Sequence, residues 1–280
     1  MIRLLRIVTV IGVLASGVPR SSAQPPSTAS SAQAALEEAA QLNQVVVRLH
    51  GEGKYREAIA PAERALALRE KALGPNDPAV ATSLNNLALL YQDQGAYAKA
   101  EPLYARALDI HEKALGPHHP AVATSLNNLA GLYRDQGAYG KAEPLLARAL
   151  DIREKALGPS HPDVADSLNN LALLDWAQGA NAKAEPLYAR ALDIREKALG
   201  PHHLDVAQSL HNLALLYQDQ GAYAKAEPLY ARALDIREKA LGPHHPDVAI
   251  SLNNLAVLYQ SQGAYAQAEP LYARALDIKE

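Results

Sequence analysis

The chain has 280 residues, no cysteine and ten histidines, with 27 basic against 30 acidic residues and a formal net charge of −3. The missing cysteine excludes disulfides and thiol chemistry, and the lack of a basic run argues against nucleic acid as a partner. Hydrophobic content is 49%, and the prevalence of alanine suits close-packed helices.

Taken in order, residues 1–23 have the layout of a secretory signal peptide. Arg3 and Arg6 make a positive start, Ile7 to Val18 is a short apolar run interrupted by Gly12 and Gly17, and Ser21-Ser22-Ala23 offers small residues for cleavage after Ala23. The apolar run is short for a span of about 20 residues, so cleavage is the first expectation and an uncleaved anchor the second. Cleavage would remove three arginines (Arg3, Arg6, Arg20) and no acid, taking the charge from −3 to −6. The expected address is periplasmic or secreted, with no membrane contact once the signal is removed. Residues 24–35, rich in Pro, Ser, Ala and Gln, read as a flexible linker.

From about Leu36 a degenerate repeat begins, with Leu42, Val45, Val46 and Leu49 keeping an apolar stripe. Near-identical text then recurs: Gly-Pro falls at Gly74, Gly116, Gly158, Gly200 and Gly242, always 42 residues apart. A fixed period of that size predicts a stacked array in which no unit buries its core alone. The units read as 36–76, 77–118, 119–160, 161–202, 203–244 and 245–280.

Each unit reads as two helices. Val80, Leu84, Leu87, Ala88 and Tyr91 lie at helical spacing. Asp77-Pro78 supplies a cap and a first-turn proline, and Gln94-Gly95 supplies a stop. The second helix carries Ala100, Leu103, Tyr104, Ala107, Leu108 and Leu115, and Gly116-Pro117 ends it. Alanines at 88, 100 and 107 allow close backbone approach. A proline sits inside every second helix (Pro61, Pro102, Pro144, Pro186, Pro228, Pro270) and should bend it slightly. The last helix, from about Tyr265, lacks the Lys-Ala-Leu-Gly-Pro ending and any polar cap, so it exposes apolar surface, docks on itself or a partner, or comes from a truncated reading frame.

The pattern Leu84, Leu87, Ala88, Tyr91, Gly95, Tyr97, Ala100, Tyr104, Ala107 resembles the tetratricopeptide repeat. The 42-residue period, the Leu-Asn-Asn-Leu-Ala core and the extended second helix resemble its kinesin-light-chain type. The resemblance covers about residues 36–280. It implies an all-α fold: an α-solenoid of about six stacked helix-turn-helix repeats in a right-handed superhelix, which binds a peptide or protein in a concave groove lined by the first helices.

Carried over position by position, the groove residues are Thr82, Asn85, Asn86, Leu89, Gln92, Asp93 and their equivalents. They include the pairs Asn85/Asn86, Asn127/Asn128, Asn169/Asn170, His211/Asn212 and Asn253/Asn254. An amide both donates and accepts, so such a column can hold an extended peptide or a carboxylate. It can equally serve as a ladder between neighbouring first helices. Asp93, Asp135, Asp166 and Asp219 fall among groove candidates, with Arg134 the lone cation, which favours a neutral or basic ligand.

Unit four departs most. Asp175 and Asn181 replace tyrosines, and Trp176 stands beside them. The indole either fills the space of the missing rings, as large rings favour, or anchors a ligand. A carboxylate on an apolar stripe costs several kcal/mol unless paired or turned to water.

Histidines recur at the loops (His118/His119, His161, His202/His203, His244/His245), but adjacent loop residues rarely converge on one centre, and no metal site is expected. Neither a phosphate loop nor a catalytic motif is present, so no catalytic residue and no cofactor is expected. The expected function is a non-enzymatic interaction scaffold; the alternative is an assembly element that self-associates through its C-terminal repeat.

Overall fold

The computed structural model describes residues 27–278. The segment read as a signal peptide, with its cleavage point after Ala23, lies outside the described residues. Among the described residues the chain is all helix: α1 (Ser27–Gly51), α2 (Tyr55–Leu73), α3 (Pro78–Asp93), α4 (Tyr97–Leu115), α5 (Pro120–Asp135), α6 (Tyr139–Leu157), α7 (Pro162–Ala177), α8 (Asn181–Leu199), α9 (Leu204–Asp219), α10 (Tyr223–Leu241), α11 (Pro246–Ser261) and α12 (Tyr265–Asp277). None of these helices is long and apolar enough to cross a membrane.

The helices fall into two compact units that divide at Leu132/Tyr133. In the first, α1 packs on α2, α2 on α3 and α3 on α4. In the second, each helix from α6 to α12 packs on the next. Within each unit, among the described residues, the hairpins are thus joined through contacts between successive helices, as the period requires.

One expected boundary moves. α1 begins at Ser27, inside the stretch read as a flexible linker. Beyond Pro26 that stretch contains neither proline nor glycine, and its alanines and glutamine are compatible with a helix. Polar composition alone had suggested a linker.

The turns follow the sequence. Asp77 caps α3 by accepting from the Ala79 N–H at 2.8 Å. Gln94 caps the other end, and Gly95 takes φ +76, a backbone region where a Cβ is strained. The loop histidines are caps as well. Nδ1 of His119, His161, His203 and His245 accepts from the N–H two residues on, at 3.1–3.2 Å. That contact fixes each ring as the Nε2–H tautomer.

Small residues let the helices meet. Ala88, Ala100 and Ala107 are fully buried, as are their equivalents Ala172, Ala184 and Ala191. Val164, Ala165, Leu168, Ala191 and Ile194 form one core cluster; Ala172, Ala184, Tyr188, Leu213 and Leu216 form the next. The helices run through their prolines without a break. Pro102 removes the bond to the Ala98 carbonyl, and both residues are exposed, so water can take that carbonyl.

Candidate functional site

The asparagine pairs divide by burial. The first members, Asn85, Asn127 and Asn169, are buried; the second members, Asn86, Asn128, Asn170 and Asn254, are half-buried. Asn85 Nδ2 donates to Ser125 Oγ at 3.2 Å, so this rung ties α3 to α5 as a ladder would. His211, in the fifth unit, is 1% exposed and packs its ring 5.5 Å from that of Tyr230. Burial, with Arg237 nearby, depresses its pKa to about 3, so the ring is neutral at physiological pH. Asn212 is buried and accepts from Gln208 Nε2 at 2.9 Å, while Asn253 is half-buried on α11. Two further groove candidates are packed away: Gln92 is buried and accepts from the Tyr104 hydroxyl at 2.9 Å, and Asp93 bonds His50 at 2.8 Å.

The charge expected on the first-helix face changes sign of emphasis. Its acids have partners: Asp135 bonds Arg134 at 2.9 Å, and Asp166 accepts from Arg195 at 2.5 Å. Asp219 accepts from Trp176 Nε1 at 3.1 Å. Nor is Arg134 the lone cation. Arg69, Arg153, Arg195 and Arg237 reach the first helices from the second helices. Each donates to a serine fourteen residues on: Ser83, Ser167, Ser209 and Ser251. His111 takes the same place and meets Ser125 at 2.9 Å. The groove positions carried over from the family did not include these guanidinium groups. A signal was present: Arg237 follows Ala226, Tyr230 and Ala233 at spacings of four, three and four, the register of the buried stripe. The electrostatic preference for a neutral or basic ligand therefore loses its basis.

The tyrosines that unit four lacks make clasps elsewhere. Tyr217 donates to Glu185 at 2.8 Å, Tyr259 to Glu227 at 3.0 Å, and Lys225 lies 4.8 Å over the Tyr217 ring. Asp175 is buried at that position instead. Burial raises its pKa, Lys183 opposes the shift and Glu143 adds to it. Trp176 is half-buried against Tyr188 and Leu213 while its N–H reaches Asp219 on α9, so packing and a cross-helix bond coexist.

Among the described residues, no group of three or more His, Asp or Glu side chains could hold a metal ion.

A tetratricopeptide repeat model matches residues 36–112, 80–155, 122–197, 163–239 and 205–280, and the chain belongs to that family. It is similar to the crystal structure of BtubC (BKLC) from P. vanneervenii, with 24% identity and a TM-score of 0.63, over 91% of this chain and 92% of that one. It is also similar to a kinesin light chain from Podosopora anserina with nearly identical TPR-like repeats, with 30% identity and a TM-score of 0.60, over 72% and 96%. A Rap protein complexed with Competence and Sporulation Factor shares the fold at 19% identity and a TM-score of 0.63, over 88% and 76%. A search of curated proteins finds no match.

Proposed function

We propose that the chain is an exported, non-enzymatic scaffold that holds a peptide or an extended partner segment against its first helices. The observation that carries the reading is the half-buried amide row. Asn170 on α7 and Asn254 on α11 of the second unit are half-buried, as is Trp176 on α7, while Asn212 at the same position of α9 is buried. Amides with one side toward solvent can both donate to and accept from a peptide backbone. Family membership supports a protein or peptide partner, and the Rap neighbour is itself in complex with a factor.

The test is a pull-down from an envelope extract with residues 24–280. Beside it runs a variant with Asn86, Asn128, Asn170, Asn212 and Asn254 all changed to alanine, checked by circular dichroism. A partner held by the first and lost by the second supports the reading; equal capture by both refutes it. Export rests on the layout of residues 1–23, and N-terminal sequencing of the protein from a fractionated cell tests it.

A second reading, self-association, is favoured by α12, where Leu276 is 58% exposed and Tyr265 is exposed as well. Light scattering over a concentration series decides it: a mass that never rises above the monomer removes it.

A further inference from the structure

Unit four interrupts a hydrogen bond that the second, fifth and sixth hairpins keep. Tyr104 donates its hydroxyl to Gln92 Oε1 at 2.9 Å, and Tyr230 and Tyr272 donate to Gln218 and Gln260 at 2.8 Å. In the third hairpin the tyrosine is Leu146, so Arg134 at the glutamine position need not accept. In the fourth the tyrosine remains and the acceptor is gone. Tyr188 is 1% exposed, and its hydroxyl has no partner within the protein. Trp176 holds the glutamine position, and an indole only donates; its N–H is already given to Asp219.

A second buried group faces the same deficit. Asn169 is 0% exposed, and neither its Nδ2 nor its Oδ1 finds a partner. One repeat later its position is taken by His211, which packs against Tyr230. By the repeat register Asn169 holds, on α7, the position from which His211, one hairpin on, meets Tyr230. Such buried groups are normally satisfied; single amide atoms of Asn85 and Asn254 also go unmatched, but the fourth hairpin alone leaves a tyrosine hydroxyl and both ends of an amide without a partner among the described residues.

We propose that this place between α7, α8 and α9 is a subsite for a primary carboxamide, the glutamine side chain of a bound peptide. The proposal rests on the reading that peptides bind the first-helix face. The protein's own glutamines show the fit: a carboxamide oxygen accepts from the tyrosine hydroxyl at 2.8–2.9 Å. A guest amide accepts from Tyr188 and from Asn169 Nδ2, and its own NH2 donates to Asn169 Oδ1. A carboxylate would set an acceptor against Asn169 Oδ1, an ammonium would offer Tyr188 no acceptor, and an aliphatic chain would leave all three groups unmatched. Arg134 does not tip the balance toward an acid, because Asp135 already neutralises it. The entrance is Trp176: its hydrogen bond to Asp219 is exposed, and a guest that displaces the ring replaces its packing on Tyr188 and Leu213.

Trp176 is the only tryptophan in the chain, so it reports its own displacement. Residues 24–280 are titrated with N-acetylglutamine methylamide and with its glutamate and leucine counterparts, following indole fluorescence. The glutamine probe should saturate with an affinity at least about fivefold above the other two. Tyr188→Phe, which keeps the ring and the reporter, should lower that affinity by about tenfold, the worth of a hydrogen bond of about 1.4 kcal/mol. Trp176→Gln, followed by ligand-observed NMR, should abolish binding, because Tyr188 regains an acceptor of its own. No saturable response, equal affinity for glutamine and glutamate, or full affinity in Tyr188→Phe overturns the proposal. If the five-asparagine variant still loses its partner while these titrations fail, the subsite alone is wrong. If that variant keeps its partner, the reading of the face fails, and the small-probe titration still decides the subsite by itself.

Discussion

Replacing Arg195 with methionine tests whether the buried guanidinium column joins the hairpins. Arg195 is 4% exposed and donates to the Asp205 carbonyl at 3.0 Å, to Ser209 Oγ at 2.8 Å and to Asp166 at 2.5 Å. Methionine keeps much of the stem's bulk and removes every donor. Asp166 is 42% exposed at its side chain and turns to water, so its loss counts for little. The other two acceptors are less free. Ser209 can donate to the Asp205 carbonyl, as Ser251 does to Asp247 at 2.9 Å, which recovers part of the loss. One buried acceptor site then goes unmet, and two charge-assisted bonds are gone, giving about 2–3 kcal/mol of destabilisation. Urea unfolding followed by circular dichroism measures it. Ser209→Ala alone should cost about 1 kcal/mol, and the double variant should cost less than the sum by about 1 kcal/mol. Lys197→Ala, which breaks an exposed pair with Asp193, should stay within about 0.5 kcal/mol. Additive losses, or an Arg195→Met cost no larger than that of Lys197→Ala, would show the column to be incidental.

Two titrating side chains should act in opposite senses. The His211 pKa lies below its unfolded value, so its contribution is full above about pH 6.5 and falls by about 1.4 kcal/mol per unit toward pH 3; His211→Asn, the residue of the other units, should flatten that acid limb in pH-dependent melting. The Asp175 pKa is raised, so its charged form opposes folding above that pKa, and the penalty disappears as pH falls through the raised value toward its usual 3.8. Asp175→Asn should therefore raise Tm at pH 7 and lose that advantage near pH 4. For the loop caps, His203→Ala should cost about 1 kcal/mol and His203→Asp much less, because Asp77 shows that aspartate serves the same role; thermal melts distinguish the two.

The fold was legible because its signals are local and repeated. Asp77-Pro78, Gln94-Gly95 and the alanines at 88, 100 and 107 each state a cap, a stop or a close approach, and the 42-residue period says how they combine. The face was only partly legible. Asn85 and Gln92 share the spacing of surface positions yet are buried, because neighbouring hairpins close over them. Arg153, Arg195 and Arg237 stand among Asp, Glu and Lys residues that are solvated, so composition hid them while register disclosed them. The start of α1 was missed for a related reason: serine and alanine after Pro26 suit a linker and a helix alike.

Arg195 joins Asp166 on α7 to Ser209 on α9 while belonging to α8. Under tension such a bond acts as a rivet through successive hairpins. Pulling one hairpin loose must break polar contacts on both sides before the apolar layers can slide. The fourth and fifth hairpins should then yield together, in a larger extension step than a single 42-residue repeat supplies.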